Sequence, residues 1–97
     1  MDFNEKVLSL AKKIPKGKVT TYKIIAEKLN SKSYRAVGRA LNKNKKPIII
    51  PCHRVVNSDG SIGGYSRGID KKIELLKKEG VIKEKNKIDL KKYLFRF

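Results

Sequence analysis

The sequence predicts a mainly α-helical domain of winged-helix-like type, a helix-turn-helix followed by a small β-hairpin. Three observations carry that expectation. Apolar residues recur at helical spacing over residues 3–14, 21–42 and 69–79. The middle stretch divides into two short helices around a tight turn, and the second helix has a basic face. Val55-Val56 then runs into Asn57-Ser58-Asp59-Gly60, whose Asp-Gly pair suits a hairpin turn.

Each element has a local reason. Asp2-Phe3-Asn4-Glu5 has the spacing of a capping box and opens the first helix. Phe3, Val7, Leu10, Ala11 and Ile14 form its apolar face, and Pro15-Lys16-Gly17 ends it. Val19 and Thr20 read as a short extended piece. Thr21 is the N-cap of a second helix that buries Ile24, Ile25, Ala26 and Leu29. Asn30-Ser31-Lys32 is a turn, and Ser33 caps a third helix with Ala36, Val37, Ala40 and Leu41 inward. Arg35, Gly38, Arg39 and Asn42 share the opposite face. Glycine costs a helix interior about 1 kcal/mol relative to alanine, so Gly38 between two arginines points to a close approach of another backbone. Ile48 to Ile50 reads as a buried strand that Pro51 terminates, with Cys52 at its end. Gly63-Gly64-Tyr65-Ser66-Arg67-Gly68 is a glycine-rich loop able to wrap a ligand. A last clear helix covers 69–79, with Ile69, Ile73 and Leu76 inward and Gly80 as its C-terminal cap. Residues 83–87 are polar, and Asp89 caps a final turn that tucks in Leu90, Leu94 and Phe95.

Ninety-seven residues make one domain with a modest core. The charge points to the partner. Twenty-five Lys and Arg against nine Asp and Glu leave +16, a surplus that repels itself unless a polyanion offsets it. Nucleic acid fits, because each neutralised phosphate releases counterions; a merely lysine-rich solvated surface is the plainer alternative. One cysteine forms no internal disulfide, which suits a reducing compartment. There is no signal-peptide pattern and no apolar run of membrane-spanning length. A soluble, cytoplasmic monomer that needs no metal or cofactor is expected, without an N-terminal domain.

The only cysteine and the only histidine, Cys52 and His53, are adjacent between β-branched runs. The thiolate is the reactive form of cysteine, and nearby basic groups such as His53 and Arg54 favour it. Neighbours on a strand point to opposite faces, so a turn or a bridging water has to join them. Glu79 is poorly placed at a helix C-terminus, where the dipole opposes a carboxylate. Pairing with a surface lysine or orienting a histidine would each account for it. Tyr22 lies in the first turn of its helix, where it could serve a phosphate or the core.

Pro51-Cys52-His53-Arg54-Val55, after Arg35-Ala36-Val37-Gly38 and before Gly64-Tyr65-Ser66, resembles the O6-alkylguanine-DNA alkyltransferases over residues 3–80. The resemblance implies suicide repair of double-stranded DNA containing O6-alkylguanine, with O4-alkylthymine as a second substrate. The helix-turn-helix of about 21–42 would bind the minor groove, with Tyr22, Arg35, Ala36, Gly38 and Arg39 at the DNA. The alkylated base would flip out and pass its alkyl group to a cysteine. By position Cys52 resembles the alkyl acceptor, His53 the base acting through a water, and Glu79 the carboxylate orienting it. Tyr22 resembles the tyrosine that presses on the target phosphate and donates to the base. Arg35 resembles the finger filling the vacated space, and Asn44 the hinge tying helix to site, with Arg54 structural. Pro47, Val55, Tyr65 and Ser66 match the pocket. The motif segment would then be 48–56, the pocket loop 57–68, the closing helix 69–79 and the tail 81–97. Arg67 occupies a variable rim position where a long cation would restrict bulky adducts.

Two rival classes carry no transfer chemistry. Alkyltransferase-like proteins bind alkylated DNA and recruit other factors, but replace the acceptor cysteine, usually with tryptophan. A winged-helix regulator would explain the charge but leave Cys52, His53 and Glu79 without a purpose. A cysteine hydrolase would leave +16 unexplained.

Overall fold

Asp2 opens α1 (Phe3–Lys12) as its spacing predicts, the carboxylate accepting from the Glu5 N–H at 2.8 Å. The structure is a computed structural model, and it describes residues 2–44, 50–65, 67–82 and 87–97. Val7, Leu10, Ala11 and Ile14 are buried, with Phe3 packed at the edge. The chain then passes through β1 (Thr20–Thr21) straight into α2 (Tyr22–Lys28), where Thr21 Oγ1 accepts from the Ile24 N–H at 3.1 Å. Asn30, at φ 56°, ends that helix, with Asn30 N–H on Glu27 O and Ser31 N–H on Ala26 O. This paired closure suits a residue that tolerates the left-handed region. Ser33 then caps α3 (Tyr34–Asn42), giving the expected helix-turn-helix. Val37, Ala40 and Leu41 are its buried stripe, with Ala36 half-buried.

The small sheet differs from the expected hairpin. The turn over residues 57–60 forms, with Asn57 N–H on Ser61 O at 2.9 Å and Gly60 at φ 88°. Yet β2 (Val55–Val56) pairs in parallel with β1, Thr20 opposite Val55 and Thr21 opposite Val56. Beyond the turn the chain leaves β2, and Ser61 bridges to Lys87 instead. The β-branched pair was legible; its distant partner was not. Ile48 and Ile49 lie outside the described residues, and Ile50 packs half-buried against the core.

α4 (Ile69–Lys78) follows Gly68 and ends in Gly80 at φ 80°, with Gly80 N–H on Lys77 O and Val81 N–H on Leu76 O. Leu76 and Ile73 face the second core cluster as expected, but the start of the helix does not follow the expected pattern. Ile69 is 54 % exposed, whereas Lys72 and Leu76 are fully buried. The helix starts without a side-chain cap from Gly68 at φ 96°, and residues 69–71 are exposed.

Asp89 caps α5 (Leu90–Tyr93), and the segment after it is well tied down. Val19 donates to Tyr93 O and accepts from the Phe95 N–H at 2.7 Å, bridging Leu94 in parallel. Two apolar clusters result. Val55 faces the one among α1, α2 and α3, together with Cys52; Val56 faces the other, with Val19, Leu76, Val81 and Ile88. Alternation along β2 thus joins both cores at the doorstep of the cysteine.

Candidate active site and helix-turn-helix face

Two tight turns in succession present Cys52. Pro51 sits at φ −79° and ψ 65°, with the Cys52 N–H on Ile50 O at 2.8 Å, the geometry of an inverse γ-turn. Proline pre-sets that φ and gives up no ladder bond. Cys52–Arg54 then form one 3₁₀ turn, closed by the Arg54 N–H on Pro51 O, before β2 begins. The turn frees Cys52 and His53 from the opposed directions of a strand. Both are buried, Cys52 at 5 % and His53 at 1 % exposure.

The thiol lies against a cavity of about 550 Å³ that Tyr22, Arg35, Gly64 and Tyr65 help to wall. Asn44, just past α3, donates from Nδ2 to Ile50 O at 2.8 Å and to Cys52 Sγ at 3.4 Å. This amide ties the end of α3 to the sulfur.

His53 Nε2 lies 2.9 Å from Glu79 Oε2. Arg54 grips the same carboxylate with both prongs, Nε to Oε1 at 2.9 Å and Nη2 to Oε2 at 2.7 Å, and its Nη1 donates to Ile14 O. Burial favours the neutral Glu79 acid, but the hydrogen bonds from Arg54 and His53 outweigh it and hold the carboxyl below its usual range. Burial pushes the His53 imidazole below its ordinary value, opposed by Glu79 and assisted by Arg54 and Lys72. A neutral ring beside an ionised carboxylate keeps its proton on Nε2. Nδ1 is then the basic nitrogen, and among the described residues no side chain or backbone group bonds to it although it is buried. The awkward position of Glu79 is thereby explained: it serves His53 and Arg54, outside the last turn of α4.

Lys72 is a site residue that sequence reasoning missed. Its Nζ donates to Val55 O at 2.7 Å, Gly64 O at 3.0 Å and the Tyr22 hydroxyl at 3.3 Å, tying β2, the glycine loop and α2 to α4. Burial pushes its ammonium down to about 7, with the nearby Cys52 opposing the shift. The one signal in the sequence was its place four residues before Leu76, on the same face. Tyr22 in turn donates weakly to Gly64 O at 3.4 Å, and burial, then the charge of Cys52, raises its phenol to about 12. Tyr65 meets the edge of His53, ring centroids 6.5 Å apart. Gly63, at φ 75°, passes so close to Tyr22 that an added Cβ would lie 3.0 Å from its hydroxyl.

On the outer face of α3, Arg35 and Arg39 are exposed and Gly38 is half-buried, with nothing within 4 Å of where its Cβ would be. Among the described residues, no backbone makes the close approach expected at Gly38. Tyr22, Arg35, Gly38, Cys52 and Tyr65 come together at the cavity; Arg39 and Ala36 lie along the same helix, and Val55 is behind, held by Lys72. Pro47 and Ser66 fall outside the described residues. Among the described residues no His, Cys, Asp and Glu cluster is arranged for a metal ion, and no helix is long and apolar enough to cross a membrane.

What these elements define is a helix-turn-helix domain built around a buried cysteine at a cavity. The model for the DNA-binding domain of 6-O-methylguanine DNA methyltransferase matches residues 2–81, and the chain belongs to that family. It is 55 % identical over 78 residues to a methylated-DNA–protein-cysteine methyltransferase of Methanocaldococcus jannaschii, covering 80 % of this chain and 46 % of that protein. It is 45 % identical to a bifunctional methyltransferase/endonuclease of Picrophilus torridus, covering 98 % of this chain and 32 % of that one. The chain thus spans from a third to about half the length of these curated relatives. Among solved structures it resembles S. pombe Atl1 in complex with damaged DNA containing O6-carboxymethylguanine, at TM-score 0.86 and 32 % identity over 97 % of this chain and 94 % of that one.

Proposed function

We propose that this chain reverses DNA alkylation directly, moving the alkyl group of an O6-alkylguanine in duplex DNA irreversibly onto Cys52. The observation that carries this is Cys52 at the cavity, next to a neutral His53 whose free Nδ1 and Glu79-bound Nε2 suit a general base. A base reaches such a thiol only by leaving the stack, which costs a few kcal/mol. Arg35, exposed at the cavity rim, offsets part of that cost by entering the vacated space, while α3 lies in the minor groove with Gly38 and Ala36 against it.

His53 takes the thiol proton through a water. The Cys52 thiolate then attacks the alkyl carbon; the S–C bond forms as the C–O6 bond breaks, and the electron pair passes to the guanine. Tyr22, a phenol that stays protonated at neutral pH, donates the proton that the departing guanine needs. Backbone carbonyls near Val55 and Tyr65 read the base, and Asn44 couples the DNA-bound helix to the sulfur. Such single-turnover chemistry belongs in a reducing cytoplasm, where Cys52 stays a thiol.

A second reading is a damage sensor that binds without transfer, favoured by the likeness to Atl1 along nearly the whole chain. Retention of Cys52 speaks against it. Intact-protein mass after incubation with duplex carrying O6-methylguanine separates the two. One added methylene, mapped to Cys52, is expected; tight binding at unchanged mass would make the chain a sensor.

A further inference from the structure

Tyr34 is 50 % exposed, one of two large apolar side chains so placed among the described residues. It belongs to neither core cluster, and it makes no hydrogen bond there. It is the first residue of α3, immediately before Arg35. These two side chains also line both cavities of the face: the one holding Cys52, about 550 Å³, and a shallower one of about 490 Å³ along Ser31, Lys32 and Ser33. An uncovered aromatic and an unpaired guanidinium therefore stand side by side between the reactive cavity and a second hollow that carries a lysine.

We infer that Tyr34 and Arg35 form a two-part wedge, in which the Tyr34 ring stacks on the base opposite the extruded guanine. This rests on the repair reading above and extends it to the other strand. When a guanine leaves the helix, its former partner loses both its pairing and part of its stacking. Arg35, a planar cation with five donors, suits the vacancy itself. A flat aromatic ring suits the exposed π-face of the orphaned base, and such stacking tolerates any base. With +16 on the chain, a nucleic-acid strand is the occupant this face favours. Lys32, in the second hollow, is placed to meet that strand's phosphate.

The test measures affinity for duplexes carrying O6-methylguanine opposite either cytosine or an abasic analogue, with the wild-type chain, Tyr34→Phe and Tyr34→Ala. Tyr34→Ala is expected to weaken binding to the cytosine-opposed duplex about tenfold, with Tyr34→Phe close to wild type. The loss should shrink to about twofold opposite the abasic analogue, where there is no base to stack on. Equal losses on both duplexes, or a phenylalanine variant as weak as alanine, would overturn the wedge; the latter would assign the hydroxyl to a phosphate. A fluorescent cytosine analogue opposite the lesion should be quenched by the wild type and less by Tyr34→Ala, and undiminished quenching would also overturn it. Affinity is the readout throughout, so a wild-type chain that binds but transfers nothing refutes the repair reading alone.

Discussion

Burial biases His53 toward its neutral form, and the pH behaviour of the proposed transfer follows from that. Its imidazole lies below its ordinary value of 6.5 because burial disfavours the cation more than Glu79 favours it. Transfer to Cys52 is therefore expected to hold from pH 7 down past 6.5, and to fall only as His53 finally protonates. Single-turnover rates across that range check this; a loss centred at or above 6.5 would mean that the imidazole is not held neutral. Lys72 gives a second signature. Its folded-state value of about 7 lies below the ordinary 10.5, so between the two the unfolded chain binds more protons than the folded one. Stability then rises with pH through that window, and below it the full cost of the buried ammonium is present. Lys72→Met should remove this rise, read as the change in melting temperature between pH 7 and pH 9. The same variant leaves Val55 O and Gly64 O without their lysine donor, so slower transfer should accompany the flattened profile.

The end of α4 is where three elements are knotted together. Glu79 holds the Cys52–Arg54 turn through His53 and Arg54, and Arg54 reaches on to Ile14 O at the end of α1. At 13 % and 10 % side-chain exposure the Arg54–Glu79 pair is nearly dry. Removing one partner of such a pair strands the other, typically at about 3–5 kcal/mol. Glu79→Ala is expected to lose stability on that scale in denaturant unfolding, and a loss under about 1 kcal/mol would mean the knot is not structural. The element scale also shows what could be read from the sequence. Asp2, Thr21, Ser33, Asp89 and Gly80 were legible because a cap acts on bonds within three or four residues of itself. The partner of Val55-Val56 was not, since a parallel pair between residues 20–21 and 55–56 is decided by packing across the chain. Cys52 and His53 announced themselves as sole copies, and Glu79 by its conflict with the helix dipole. Lys72 did not, because a lysine among many reads as surface until three acceptors converge on it. Ile69 shows the converse: an apolar residue at helical spacing, left in water where its helix begins.

At the scale of the whole molecule, two small cores share β2, and the segment over residues 87–97 seals both. Ile88 belongs to the second cluster, while Phe95 and Phe97 pack on the first. Gly60 admits this segment closely, since a Cβ there would lie 2.6 Å from Ile88 O. Burying a large apolar side chain contributes about 1.5–3 kcal/mol, so deleting residues 87–97 is expected to lower the melting temperature sharply or abolish the cooperative transition. The charge is the other property that only the whole chain has. Among the described residues the side-chain ion pairs involve Glu74 and Glu79 alone, so most of the +16 faces solvent without a carboxylate partner. Lys23 and Arg35 line the cavity beside Cys52, and Arg39 on α3 and Lys43 at its C-terminal cap are exposed. If Lys23, Arg39 and Lys43 meet phosphates while Arg35 enters the stack, the logarithm of the binding constant should fall against the logarithm of salt with a slope of roughly −2.7, about −0.9 for each contact. Lys23→Ala and Arg39→Ala should each reduce that slope by about one unit on damaged and undamaged duplex alike, because phosphates carry no lesion. A flat dependence would detach the charge from DNA altogether. A steep slope that neither substitution changes would move the phosphate contacts to another face of the chain, away from the cavity that holds Cys52.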